Sequence, residues 1–289
     1  MPNHLRLHPP TPLEYFGNLV AEDVGLNLLE AAASIAQDEF PALDVQAVLA
    51  EVDGLAQRLR ERLPPDASAR HKLQMLTRYF HQELGFAGNV NNYYESGNSY
   101  IHHVLATRRG IPVSLAVIFI EIAGQLGLRA HGLAFPGHFL IKLQMGNGEV
   151  ILDPFTCESL SRNKLDEFLQ SFRQSSGLLG EVDLPVDLFL QPASAREVLA
   201  RILRNLKEIY RSNEDWPRLL AVQERLVLLL PEAWVERRDR GLVLEALGHW
   251  RAAAEDLSAY LSQQPQAPDQ AGLSQRLAQL RQRGLPPLH

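Results

Sequence analysis

The sequence predicts an α+β protein: a helical N-terminal region, a core built of a buried helix on an antiparallel sheet, and an all-α tetratricopeptide-like repeat region. Three observations carry this. Residues 112–126 are apolar almost all round a helix. The stretch from Leu128 to Asp153 reads as short strands broken at Phe135-Pro136-Gly137 and Gly146-Asn147-Gly148. Pro231 and Pro265 stand 34 residues apart, the period of a helical repeat. A buried helix packed on antiparallel strands makes the core α+β. The boundaries that follow are 1–85 for the helical N-terminal part of the core domain, 86–190 for the core itself and 195–289 for the repeats.

Taken in order, a Pro-rich lead precedes two segments, 20–36 and 42–62, with apolar residues at helical spacing. Val24, Leu28, Ala31 and Ile35 mark the first; Val45, Val48, Leu49, Val52, Leu55 and Leu59 mark the second. A third helix over 68–84 presents Leu73, Leu76, Tyr79, Phe80 and Leu84 and stops at Gly85. Then comes a loop rich in Asn, Gly and Tyr, FAGNVNNYYESGNSY, and a short helix, HHVLATRR, ending at Gly110. Pro112 suits the first position of the buried helix, where a missing N–H costs nothing. Strands are expected over Leu128–Phe135, His138–Met145 and Glu149–Asp153. In the repeats, Gly241, Leu247, Gly248, Trp250, Ala253 and Leu257 fall where a tetratricopeptide unit uses small or bulky residues; Leu203, Leu206, Tyr210, Trp216 and Leu220 fit more loosely. Two hairpins fall short of the roughly three repeats that stand alone, so they are expected to lean on the first domain or on another chain. A plain helical bundle is the alternative.

Composition narrows the function. With 28 basic and 34 acidic residues, a formal net charge of −6 and no basic block, neither nucleic acid nor an anionic membrane is expected as a main partner. Cys157 is the single cysteine, which rules out an intrachain disulfide and a thiolate zinc cluster. The opening MPNHLRLHPPTPLEYF lacks the pattern of a secretory signal, so a cytoplasmic location is expected. No phosphate loop, dinucleotide fingerprint or zinc spacing occurs, so no cofactor and no metal are expected.

The chemistry-bearing residues cluster between Asn98 and Asp153. Acyl transfer by a triad needs a nucleophile within hydrogen-bond reach of a base, and a third group that fixes the base's tautomer. Ser114, in the first helical turn after Pro112, is the candidate nucleophile, or else a helper that bonds the backbone at the helix start. His138 follows a Pro-Gly pair able to present an imidazole at a sheet edge. Asp153 ends the returning strand before Pro154. Direct opposition of His138 and Asp153 would centre the hairpin between Met145 and Gly146, so contact needs a bulge or skewed loop. Asn91, Asn92, Tyr94, Asn98 and Arg109 are candidate substrate-binding residues; the asparagines are alternatively turn formers. His102 and His103, adjacent rather than a turn apart, are read as surface or rim residues and not a metal pair. Glu121, in so apolar a helix, calls for a partner such as Arg108 or Arg109. Cys157 reads as a packed thiol.

The segments NSYIHHVLATRRGIPVSLAVIFIEIAGQLGL, FPGHFLIKL and ILDPF closely resemble the SirB-type transglutaminase-like/TPR family of bacterial proteins, strongly from Tyr93 to Phe155 and by architecture elsewhere. The resemblance implies a transglutaminase-like, papain-related core whose relatives use Cys, His and Asp for acyl transfer or peptide-bond cleavage. It implies that His138 and Asp153 match the base and its orienting acid. In gapless register the cysteine's place falls to Pro112, with Ser114 about 200° further round a helix of ~3.6 residues per turn. Two function readings follow. The leading one is a regulatory or protein-binding protein on a degenerate core that lacks the nucleophilic cysteine, holding a peptide or protein in the cleft and another partner on the repeats. The alternative is a Ser114–His138–Asp153 hydrolase or acyltransferase acting on an amide or ester. Nothing in the sequence specifies the oligomeric state.

Overall fold

The computed structural model of the chain describes residues 9–146, 148–175 and 185–283. Helix α1 (Pro12–Leu19) lies in the Pro-rich lead, where the sequence reading places none. Its start is a capping box: Thr11 Oγ1 accepts the Glu14 N–H, and the Glu14 carboxylate accepts the Thr11 N–H at 2.8 Å. Residues 20–27, expected within a helix, form turns instead. Gly25 adopts φ +83° and Asn27 caps the shorter helix α2 (Leu28–Ser34), which runs on into a 3₁₀ turn, Ile35–Asp38. Asp44 and Ser68 cap α3 (Val45–Arg60) and α4 (Ala69–Thr77), and α4 widens into a π-helical turn, Arg78–Glu83, before Gly85 reverses the chain at φ +74°.

Strand β1 (Ala87–Gly88) pairs in parallel with β2 (Arg109–Gly110), on either side of the Asn-rich loop and α5 (Ile101–Thr107). Helix α6 (Pro112–Gln125) follows, with Pro112 in its first turn and every residue from Val113 to Phe119 buried. It packs on α2, α3 and α5, and Phe119 meets Phe80 edge-on at 5.4 Å while Phe80 stacks on Phe86 at 4.3 Å. The helix ends in a Schellman motif: Leu128 N–H bonds the Ala123 carbonyl, Gly127 N–H bonds that of Gly124, and Gly127 takes φ +77°. Two cations from the earlier helices close the same end, Arg60 on the Gln125 carbonyl at 2.7 Å and Lys72 on that of Leu126 at 2.9 Å.

The sheet has the order β3-β4-β5, all antiparallel: β3 (Arg129–Leu133), β4 (Leu140–Met145) and β5 (Gly148–Leu152). The first two strands are shorter than expected because Phe135-Pro136-Gly137-His138 forms a tight turn that interrupts the ladder. The hairpin pairs Met145 with Gly148; Asn147 lies outside the described residues. One face of the sheet packs on α6. On the other, Leu133, Phe135, Leu140 and Ile151 form a cluster with Leu165 and Leu169 of α7 (Arg162–Ser175) and Val186. Helix α8 (Ala195–Ser212) begins with a second capping box, Ser194 with Glu197.

The chain divides into two compact units, one of Asp23–Ile202 and one joining Met1–Glu22 to Leu203–His289. The expected grouping of residues 1–85 with the core is thereby corrected at its start: α1 belongs with the C-terminal helices. The cause is Phe16, fully buried against α9 (Trp216–Leu229), with the Arg225 guanidinium 4.8 Å over its ring. The same unit continues through α10 (Trp234–Ala246), α11 (Trp250–Gln263) and α12 (Gln270–Arg283), α10 ending in a Schellman motif at Gly248, φ +79°. In the other unit, Asp23 pairs with Arg196, 173 residues away.

Gly88 has no room for a side chain, since a Cβ there would lie 2.5 Å from the Phe155 ring, whereas nothing lies within 4 Å of a Cβ on Gly124. Gly88→Ala is expected to lower unfolding free energy by about 1–3 kcal/mol, while Gly124→Ala leaves it unchanged or raises it slightly. Urea denaturation midpoints check this; equal effects of the two would contradict the packing described.

Candidate functional site

The start of α6 is built around a residue that cannot cap. Ile111 occupies the N-cap position and has no polar side chain, so Ser114, one turn on, reaches back. Its Oγ accepts the Ile111 N–H at 3.2 Å and donates to the Asn98 carbonyl at 2.6 Å, with the Ile111 carbonyl 3.0 Å away. The residue is fully buried, and a Cβ on Gly110 would lie 2.7 Å from this Oγ. Ser114 is thus a buried strut between the helix and the loop. Its hydroxyl is not bonded to His138.

Asn98 is the other half of that strut. It is 0% exposed; its amide donates to the carbonyls of Asn92 at 2.6 Å and Tyr93 at 3.2 Å, and its side-chain oxygen accepts from Asn89 Nδ2 at 2.9 Å. The Asn92 N–H in turn bonds Asn89 Oδ1 three residues back, in the manner of an N-cap. Of the candidate substrate-binding residues, Asn98 is therefore internal and holds the loop's shape. Arg109 is exposed, and one end of its guanidinium donates to the backbone carbonyls of Gly85 at 2.6 Å and Arg108 at 2.9 Å. Asn91, Asn92 and Tyr94 are exposed, Tyr94 at 79%, beside Val90 at 78% and Tyr93 at 38%. What the loop presents is an apolar, aromatic tip on a fixed frame.

His138 is positioned by the turn before it. Pro136 and a Gly137 at φ +73° are the residues a type II turn uses at its centre, and the His138 N–H closes the turn on the Phe135 carbonyl at 2.9 Å. The half-buried ring stacks on Phe168 of α7, centroids 4.0 Å apart and planes 13° from parallel, while Phe172 covers Gly137. Burial lowers the ring's pKa below its ordinary 6.5, the Asp153 carboxylate opposes that, and Arg201 reinforces it. In the sheet register Leu152 faces Ile141, so Asp153 lies just past the end of β5, two positions off direct opposition to His138.

Asp153 also organises the chain behind it. Its Oδ1 accepts the Phe155 N–H at 2.8 Å and its carbonyl accepts that of Cys157 at 2.8 Å. Among the described residues no hydrogen bond joins His138 to Asp153 or to Ser114, so the candidate triad is not a bonded chain. Cys157, at φ +56°, has its thiol pushed up to about 12 by burial and by the Asp153 charge; it is a packed thiol and not a ready thiolate. Glu121 meets neither Arg108 nor Arg109: it accepts from Gln125 Nε2 at 2.9 Å, and Arg108 lies over Phe86 and beside Glu51. The sequence reading misses Phe168 and Arg201. Leu165, Phe168, Leu169 and Phe172 carry the helical spacing that marks α7, but nothing local points either residue at the imidazole.

Two outcomes are expected. Ser114→Ala removes a buried hydroxyl that serves both the Asn98 carbonyl and the Ile111 N–H and should lower stability by about 1–3 kcal/mol in urea titrations. The His138 ring should titrate below 6.5 by NMR, and lower still in Asp153→Asn, because the carboxylate is what raises it. A folded pKa below the unfolded one gives stability that is whole above pH 6.5 and is lost as pH falls through the folded value. A titration unmoved by Asp153→Asn would show that the two groups do not interact.

Comparison with known proteins agrees with these two regions. The profile of the transglutaminase-like superfamily matches residues 46–204, and that of the tetratricopeptide repeat matches residues 206–278. The chain is similar to a UPF0162 protein of Xylella fastidiosa strain 9a5c, 38% identical over 84% of this chain and 86% of the relative. It is 29% identical to the UPF0162 protein YchA of Escherichia coli K12, over 83% of this chain and 86% of the relative. It is also 29% identical to Protein SirB1 of Salmonella typhimurium, over 82% of this chain and 85% of the relative. No solved structure matches it. Among the described residues no helix is long and apolar enough to cross a membrane. The chain belongs to the UPF0162 family of the transglutaminase-like superfamily, carrying a tetratricopeptide region after the transglutaminase-like domain.

Proposed function

We propose that this chain is a non-catalytic, protein-binding member of its superfamily, in which the transglutaminase-like domain holds a peptide or protein segment and the repeats hold another partner. One observation carries the reading: the Ser114 hydroxyl is 0% exposed and bonded to the Asn98 carbonyl at 2.6 Å. A nucleophile must offer its oxygen to an incoming carbonyl carbon and its proton to a base. Here the proton points to a main-chain carbonyl, and turning it away would give up a buried hydrogen bond, worth about 0.5–1.5 kcal/mol, while that carbonyl kept only the longer bond from the Ile111 N–H at 3.3 Å. Pro112, which stands in the cysteine's place in gapless register, has no nucleophilic atom. Cys157 has a thiol pushed up to about 12, which leaves almost no thiolate near neutral pH.

The same bonds that engage Ser114 support the binding half of the reading. Val90, Tyr93 and Tyr94 stand exposed on a loop whose frame is fixed by Asn89 and Asn98, and preordered tyrosines bind with little loss of conformational freedom.

A Ser114–His138–Asp153 hydrolase or acyltransferase is the second reading, favoured by the action of the Asp153 charge on the His138 ring. A fluorophosphonate probe followed by peptide mass spectrometry separates the two. No adduct at Ser114 is expected. Stoichiometric labelling there, abolished by His138→Ala, would overturn the non-catalytic reading.

A further inference from the structure

The repeat unit carries a groove that neither the loop nor the candidate triad uses. On α11, Arg251, Ala254, Glu255, Ser258, Ala259 and Ser262 recur at helical spacing and form the face opposite the buried Ala253, Leu257 and Tyr260. With Leu280 and Arg281 of α12 this face walls a cavity of about 520 Å³. A second cavity, about 680 Å³, lies between His249, Trp250 and Arg283 and shares Arg251 and Glu255 with the first. Joined end to end, they follow α11 for about 20 Å at ~1.5 Å per residue. The small side chains of Ala254, Ser258 and Ala259 give the groove its depth, and Ala254, Ala259 and the half-buried Trp250 give it an apolar floor, with Leu280 buried beneath.

Its charge is unlike that of the rest of the unit. On the neighbouring helices cations have carboxylates of their own: Arg204 and Lys207 meet Glu236, Lys207 also Asp239, Arg238 meets Asp239 and Asp269, and Arg240 meets Asp256. Around the groove, Arg281 donates to the Ser258 hydroxyl at 3.3 Å and Arg283 lies 5.3 Å over the Trp250 ring, and neither is bonded to a carboxylate among the described residues. Arg251, 90% exposed, has only the exposed Glu255. Three guanidinium groups thus face one carboxylate across an otherwise neutral trough, in a chain whose net charge is −6. Positively charged walls around an apolar floor complement a segment that alternates carboxylates with apolar side chains, because Arg pairs a carboxylate with two parallel N–H donors.

We infer that the α11–α12 groove is a docking site for an acidic, partly apolar segment of a partner protein, held by Arg251, Arg281 and Arg283. The inference deepens the binding reading and rests on it for the repeat unit alone. The probe is a fluorescein-labelled peptide alternating glutamate with leucine, its control the same peptide with lysine for glutamate, and the readout is anisotropy with the full chain. The acidic probe should bind, with a Kd that weakens as salt is raised, and the lysine probe should not. Arg281→Glu with Arg283→Glu should weaken Kd about tenfold or more, and lysine at both positions should keep most of the affinity. Arg251→Glu, at a position too exposed to affect folding, should weaken it in the same direction. Equal binding of both probes, no binding of the acidic one, or a Kd unmoved by Arg251→Glu would overturn the proposal. Tyr94→Ala, in the other unit, leaves this affinity unchanged, so failure here and failure of the loop reading are seen separately.

Discussion

The buried bonds of Asn98 are what the start of α6 and the loop before it depend on. In a poorly polarisable interior an unpaired amide or carbonyl is costly, so a fully buried asparagine is tolerated only when its donors and acceptors are matched. Here the match is made by three chain segments at once: Asn89, the Asn92–Tyr93 backbone, and the Ile111–Ser114 turn. Removing any one weakens or strips the partner of a different buried group of Asn98. The loop, the parallel pair β1–β2 and the helix N-terminus are therefore fixed as one piece, and the aromatic tip inherits its orientation from the most deeply buried helix of the domain.

Much of this architecture is legible in the sequence, for identifiable reasons. Pro112, the unbroken apolar run after it and Gly127 define α6 at both ends, because each acts through local backbone geometry. The Pro136-Gly137 pair marks the turn that presents His138 for the same reason. Helix α1 is not legible in the same way although Thr11-Pro12-Leu13-Glu14 holds its whole capping signal, because the prolines around it make a helix start look like a breaker. The candidate site is less legible. The partner of Ser114 is a carbonyl 16 residues earlier, and a backbone oxygen leaves no mark on the sequence. Phe168 reaches His138 only through the packing of α7 on the sheet, which no local pattern encodes. The grouping of α1 with the C-terminal helices is a tertiary fact of the same kind.

The repeat unit meets its shortfall of repeats from within. A hairpin pair exposes apolar faces at both ends, and solenoids cover such faces with atypical terminal elements. Helix α1 covers α9 with Phe16, and α12 packs on α11 through Leu273 and Leu280. Between them, Lys207 bridges Glu236 and Asp239, and Arg238 links Asp239 to Asp269, so charges partly shielded from solvent lie in a connected row. Each member has a counter-ion, which is the condition under which burying charge is tolerable.

The pairing of Asp23 with Arg196 bears on the order of assembly. Helix α1 is synthesised long before α9, and the Arg225 side chain that reaches the Pro12 carbonyl stands 213 residues further along the chain. Closing a loop of that length in a disordered chain carries an entropic cost that grows with the logarithm of its length. When residues 23–202 fold first, Asp23 and Arg196 are drawn together and the loop is already closed. The discontinuous repeat unit then searches a small volume for its first helix, and the transglutaminase-like domain acts as the clasp that makes its neighbour's assembly a local event.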